Sequence, residues 1–268
     1  MTRPVSALSE TPLVSHRRDG GIVTLTLGRG ERFNPLSSSM IAALQTEIDA
    51  IAADATARVV ILAAEGKGFS AGHDLREMRA HAHDKTWQQR LFDDCGRMML
   101  ALTRMPQPVI ARVHGMATAA GCQLVAMCDL AVAADTAQFA LPGVNIGVFC
   151  STPAVGVARN VGRKRTMDML LTGRPVDAAT ALAWGLVNEV VPADQLDQAI
   201  RKYTDIILAR SGAAIGIGKR TFYEQIDRPL ASAYQVAGEA MACNIQYEDA
   251  AEGMDAFIAK RPPSWRGR

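Results

Sequence analysis

The sequence predicts a mixed α/β fold that ends in an all-helical part, and three observations carry this. Over the first half, β-branched runs alternate with amphipathic helical patterns. From about residue 163 onward the patterns are almost wholly helical. Two helices in that later part stop at glycines, where a helix C-terminus favours left-handed backbone. At 268 residues the chain can bury a sizeable core, as one large domain or two small ones.

Taken in order, IVTLTLG (Ile22–Gly28) and RVVILAA (Arg58–Ala64) are rich in β-branched residues and read as strands. Between them Ile41, Leu44, Ile48 and Ile51 recur at three-to-four spacing within Ser37–Ala53, with serines placed to cap an amphipathic helix. A second long helix is expected over Thr86–Arg104, ended by Pro106 and Pro108. Strand signals return in VIARVHG (Val109–Gly115), DLAVAAD (Asp129–Asp135) and a short AQFALP run. Arg165–Thr172 ends at Gly173 and Asp177–Trp184 ends at Gly185; helical patterns then run from Ala193 to Lys260. The closing RPPSWRGR reads as a basic, proline-broken, solvated tail, and MTRPVSALSETPLVSHRRDG as a frayed start without an export signal.

Composition excludes several classes. With 29 Lys+Arg against 27 Asp+Glu and aromatics at 5%, no nucleic-acid surface is predicted. No apolar run is long enough to span a membrane. Five scattered cysteines (Cys95, Cys122, Cys128, Cys150, Cys243) form no CxxC pair, which predicts reduced thiols and a cytoplasmic protein.

Four motifs resemble chemistry. Gly68–Gly72, GFSAG, matches a nucleophile elbow after a strand, but residues 115 to 268 contain no histidine to serve the serine. AAIGIGKR (Ala213–Arg220) lacks the first glycine and the Ser/Thr of a phosphate loop and reads as a helix with a basic end. His81-Ala82-His83-Asp84 has the wrong spacing for a shared helical face, so no metal site is expected. Most informative are two small-residue turns after strands, Gly68–Leu75 (GFSAGHDL) and Ala119–Cys122 (AAGC). Converging N–H groups from both would form an oxyanion hole; spacing alone leaves ordinary tight packing equally open.

Over about residues 13 to 263 the chain resembles the crotonase family, the enoyl-CoA hydratase/isomerase superfamily. GKGFSAGHDLREM and VIARVHGMATAAGCQLVAMCDLAVAAD are similar to its two oxyanion segments, followed by AQFALPGVNIG, LLTGRPVDAATALAWGLVNEVVP and EGMDAFIAKRPPSW. The AAGCQL and PGVN patterns are most similar to its enoyl-CoA hydratase domain-containing subgroup. The resemblance implies an α/β spiral of ββα units over 13–200, after a 1–12 tail, and a helical region, 201–268, that drives a homotrimer or dimer of trimers. It implies an acyl-CoA or enoyl-CoA thioester ligand, coenzyme A being part of the substrate, with no covalently bound cofactor. Carried over by position, the oxyanion donors are the backbone N–H groups of His73 and Ala120, with Ala71, Gly72 and Gly121 lining the turns. Arg32 and Phe33 match a CoA-facing loop, and Phe257 and Lys260 a nucleotide contact across subunits.

The family's two catalytic glutamates would stand at Gln123 and Gly143, and neither is acidic here. An amide has no carboxylate pKa to exchange protons at neutral pH. Gln123 retains hydrogen-bonding capacity, and Gly143 is expected to open space. Three functions follow: a hydratase/isomerase of reduced hydratase rate, a non-catalytic acyl-CoA binder, or a thioester hydrolase using water held by Gln123. A carboxylate in the cleft, such as Glu77 or Asp94, would favour an enzyme.

Overall fold

The computed structural model describes residues 12–268. The expected 1–12 tail therefore lies, apart from Pro12, outside the described residues. The strands are β1 (Val14–Asp19), β2 (Ile22–Leu27), β3 (Val59–Ala64), β4 (Val109–Val113), β5 (Ala117–Thr118), β6 (Leu130–Ala134), β7 (Gln138–Ala140), β8 (Val176–Asp177) and β9 (Glu189–Val191). The helices are α1 (Ser38–Ala52), α2 (Leu75–Ala80), α3 (Lys85–Arg104), α4 (Ala120–Met127), α5 (Ser151–Val161) and α6 (Arg163–Thr172). They continue as α7 (Ala178–Trp184), α8 (Leu196–Leu208), α9 (Gly212–Gln225), α10 (Leu230–Ile245) and α11 (Glu248–Ile258).

A larger sheet runs β1-β2-β3-β4-β6-β9, parallel except for β1 against β2; a smaller one runs β5-β7-β8. Isolated bridges Leu36↔His73 and Ser70↔Ala117 continue the smaller sheet toward the N-terminus. Successive stretches of chain thus place one extended segment in each sheet and then a helix, which is a spiral of ββα units. Strand alternation assigns the larger sheet's two faces. Val60 and Leu62 join the main core with Ile41, Leu44 and Ile48 of α1 and Met98, Met99 and Leu102 of α3. Val59, Ile110 and Val132 face Leu196, Ala199 and Ile200 around α8.

Local signals act as expected at the helix ends. The Ser37 side chain accepts the Met40 N–H to cap α1. Gly173 and Gly185 take φ of +62° and +86° after α6 and α7. Asp84, from the His81–Asp84 run, caps α3 through the Trp87 N–H. Among the described residues no cluster of three His, Cys, Asp or Glu is arranged to hold a metal. None of their helices is long and apolar enough to cross a membrane.

Three readings need correction. VSHRRD forms the edge strand β1 rather than loose chain; only Val14 is buried, so its alternation is masked by polar residues. The C-terminal tail is docked: the Asp249 carboxylate accepts the Arg266 and Gly267 N–H groups at 2.6 and 3.0 Å, and Trp265 Nε1 donates to Ala209 O. The basic end of AAIGIGKR is partly internal. Lys219 Nζ is buried, donating to Asp129 Oδ2 (2.6 Å) and to the Leu102 and Gln107 carbonyls, which fastens α9 to the start of β4.

Candidate functional site

The first turn follows β3. Asn34, fully buried at φ +50°, accepts the Arg29 N–H on Oδ1 and donates from Nδ2 to the Glu65 and Gly68 carbonyls. Ala71 N–H donates to Phe33 O, and Arg32 pairs with Asp74 at 2.8 Å. Phe33, half-exposed, lies over Gly68, where an added Cβ would come within 2.9 Å of its ring. The loop carrying Arg32 and Phe33 is thereby braced against the turn at Ala71 and Gly72. Ser70 is 1% exposed, and its hydroxyl donates to Asn34 O while receiving the Gly72 N–H. It is a structural brace, and the nucleophile-elbow pattern is coincidental.

The second turn meets the first. Thr118 N–H donates to Ser70 O at 2.9 Å, and Thr118 Oγ1 donates to Ala71 O at 3.0 Å. A Cβ at Gly72 (φ +83°) would stand 2.9 Å from the Ala119 methyl and 3.0 Å from the Ala120 nitrogen. A Cβ at Gly121 would stand 2.4 Å from Ser70 O. Both glycines are therefore required for contact between the turns. The N–H groups of His73 and Ala120 stand on these abutting segments, and neither has a hydrogen-bond acceptor among the described residues. Ala120 opens α4, where the helix dipole favours negative charge.

Around the turns sit mostly neutral groups. Burial holds the His73 imidazole below its ordinary pKa, despite a bond to Leu36 O and the nearby Glu77 charge. Since a carbonyl only accepts, Nδ1 carries the proton in that bond. The ring edge-stacks on Phe92, and Nε2 is buried without a partner among the described residues. Gln123 is 5% exposed, its Oε1 also has no partner among the described residues, and its stem lies near Gly156 of α5.

Gly143 does not open space: an added Cβ would meet Val148 O at 2.7 Å and Cys150 Sγ at 2.9 Å. The 143–150 loop folds back into the volume a side chain would take. Burial pushes the Cys150 thiol above its ordinary pKa, more than the Gly143 backbone hydrogen bond lowers it.

The two carboxylates singled out from sequence are engaged elsewhere. Glu77 receives the Ser38 N–H at 2.9 Å and bonds the Ser38 hydroxyl, tying α2 to the start of α1. Asp94 pairs with Arg97 at 2.6 Å on the outside of α3. Phe257 and Lys260 lie at the end of α11, exposed, with Phe257 beside Met254 and Trp265. No described contact brings them to His73 or Ala120 within this chain.

This two-sheet spiral, with its helical C-terminal part, is the crotonase fold. Residues 17–268 match the family described as enoyl-CoA hydratase/isomerase, and the chain belongs to that family, which acts on coenzyme A thioesters without a required cofactor. A crystal structure of an enoyl-CoA hydratase from Mycobacterium smegmatis superposes with a TM-score of 0.93 at 52% identity, covering 95% of this chain and 99% of that one. The human enoyl-CoA hydratase domain-containing protein 3 gives 0.91 at 41% identity, covering 95% and 100%. The rat protein of that name is 43% identical over 98% of this chain and 87% of its own length. The rat, mouse and frog proteins are named as mitochondrial, so the cytoplasmic expectation is withdrawn. Reduced cysteines do not separate one reducing compartment from another.

Proposed function

We propose that the protein binds an acyl-CoA or enoyl-CoA thioester and polarises its carbonyl through the His73 and Ala120 N–H groups, in the manner of an enoyl-CoA hydratase/isomerase with little hydratase activity. The observation that carries this is the meeting of two turns too close for a side chain on Gly72 or Gly121, each with an N–H lacking an acceptor among the described residues. A thioester oxygen bound there gains negative charge as an enolate forms. Fixed N–H dipoles stabilise that charge without reorganising. The α4 N-terminus adds to the effect.

Proton transfer is the weak step. Gln123 offers an amide where hydration needs a base, and Glu77 is occupied by Ser38. Those facts equally favour a second reading, an acyl-CoA binder without turnover. A serine hydrolase is not supported, because the Ser70 hydroxyl is committed to Asn34 O.

We assign the exposed Phe257 and Lys260 to a nucleotide contact made across subunits in a trimer or dimer of trimers, and the helical part from 201 to that assembly. Exposed Leu230, Tyr234, Met241 and Ile258 on α10 and α11 support an apolar contact there.

The test is crotonyl-CoA turnover, followed as loss of enoyl absorbance, with acyl-CoA binding measured on the same sample. Binding with slow turnover is expected, and Gln123→Glu is expected to raise the rate at least about tenfold. Binding without turnover in either protein would favour the binder. Absence of binding would refute both readings.

A further inference from the structure

Ala119 has φ 49° and ψ −121°, the first central position of a type II′ turn, where glycine, asparagine or aspartate is usual. An alanine held there is strained. Its backbone is fixed on both sides: its N–H donates to Ala140 O at 2.9 Å, and its carbonyl accepts the Gln123 N–H at 3.0 Å. The strained conformation aims the next N–H, that of Ala120. Glycine would aim it equally well, so the backbone alone does not account for the methyl group.

The methyl has a definite location. It lies 2.9 Å from where a Cβ on Gly72 would stand, in the narrow space where the two turns meet, and the residue is partly exposed. Ala119 immediately precedes the Ala120 donor, so with a thioester oxygen held as proposed above its methyl, packed on one side against the main core, would border the groups attached to the carbonyl carbon. One of them, sulfur, is common to every CoA thioester. Only the carbon on the other side varies between substrates, so a wall here discriminates only at that carbon.

We infer that Ala119 is a specificity-determining residue, whose methyl group selects CoA thioesters unbranched at the carbon next to the carbonyl. An extra methyl at that carbon meets the Ala119 methyl, and overpacking of this kind opposes binding.

Butyryl-CoA and isobutyryl-CoA make the comparison sharp, because they are isomers differing only in that branch. Titration calorimetry on the intact protein is expected to give at least about tenfold tighter binding of butyryl-CoA. In Ala119→Gly, which removes both strain and methyl, the ratio is expected to fall at least about fivefold, with no loss of thermal stability. Ala119→Ser keeps a group of similar size and is expected to keep the preference. Equal binding of the isomers by the wild type, or a ratio unchanged in Ala119→Gly, overturns this inference alone. Binding of neither thioester by the wild type overturns the oxyanion site as well.

Discussion

Gly121→Ala sets two known effects against each other. Gly121 lies in the first turn of α4, and alanine in a helix is favoured over glycine by about 1 kcal/mol. On propensity alone the substitution stabilises. The added methyl, however, starts 2.4 Å from Ser70 O and 2.8 Å from Ser70 Cβ, and must retreat by roughly 1 Å to reach ordinary contact at 3.4 Å. Ser70 cannot yield cheaply: its carbonyl accepts the Thr118 N–H and its hydroxyl holds Asn34 O. Overpacking against fixed backbone falls toward the upper end of about 1–3 kcal/mol, leaving a net loss of about 2 kcal/mol. For a chain of this size that is a fall in Tm of roughly 4–8 °C.

Gly96→Ala is the matched control. Gly96 sits inside α3, and a Cβ there meets nothing within 4 Å. A gain of about 0.5–1 kcal/mol is expected, raising Tm by roughly 1–4 °C. Thermal melts by circular dichroism compare the two, and binding of butyryl-CoA adds a functional readout. Displacement of the Ala120 N–H in Gly121→Ala is expected to weaken binding by about tenfold. If Gly121→Ala raised Tm as Gly96→Ala does, the proposed contact between the turns would be wrong.

Other outcomes follow from the same geometry. Lys219→Met leaves the partly buried Asp129 carboxylate with the Val109 N–H (2.7 Å) and the Tyr223 side chain but without its cation, and is expected to destabilise by about 3–5 kcal/mol in urea unfolding. Gly143→Glu must displace Val148 and Cys150, so adding it to Gln123→Glu is expected to lower Tm and to give less hydration than Gln123→Glu alone. The Arg261 side chain, then the Ser264 N–H, lower the Glu252 pKa from 4.5 to about 2. Its contribution is fully present above pH 4.5 and is lost as pH falls toward 2. Trp265, held by the same tail, is expected to shift its fluorescence over that window, and Glu252→Gln to abolish the shift.

What could be read from sequence follows from how far each signal acts. The strand at Ile22, the helix from Ser38 and the glycine stops at 173 and 185 depend on near neighbours, and the structure has them within a residue or two. The paired turns were legible because small residues after a strand are unusual. Gly143 was misread because a missing side chain looks the same whether ligand or a returning loop fills the gap; here the 143–150 loop does. The C-terminal tail and Lys219 were misjudged for a related reason. Their partners, Asp249 and Asp129, are set by packing rather than by local pattern. Ala119 gives no signal in sequence, since alanine does not mark positive φ.

The bridges Leu36↔His73 and Ser70↔Ala117 have a further consequence. Ser70↔Ala117 sets the segment leading into His73 beside the segment leading into Ala120 as neighbouring strands. Neighbouring strands in β-structure stand about 4.8 Å apart, whatever residues they carry. A single oxygen at roughly 2.9 Å from a donor on each strand fits that interval. The proposed anion site thus takes its spacing from the repeat of the peptide backbone. Side chains at positions such as 123 and 143 can be exchanged while the proposed donors keep their separation.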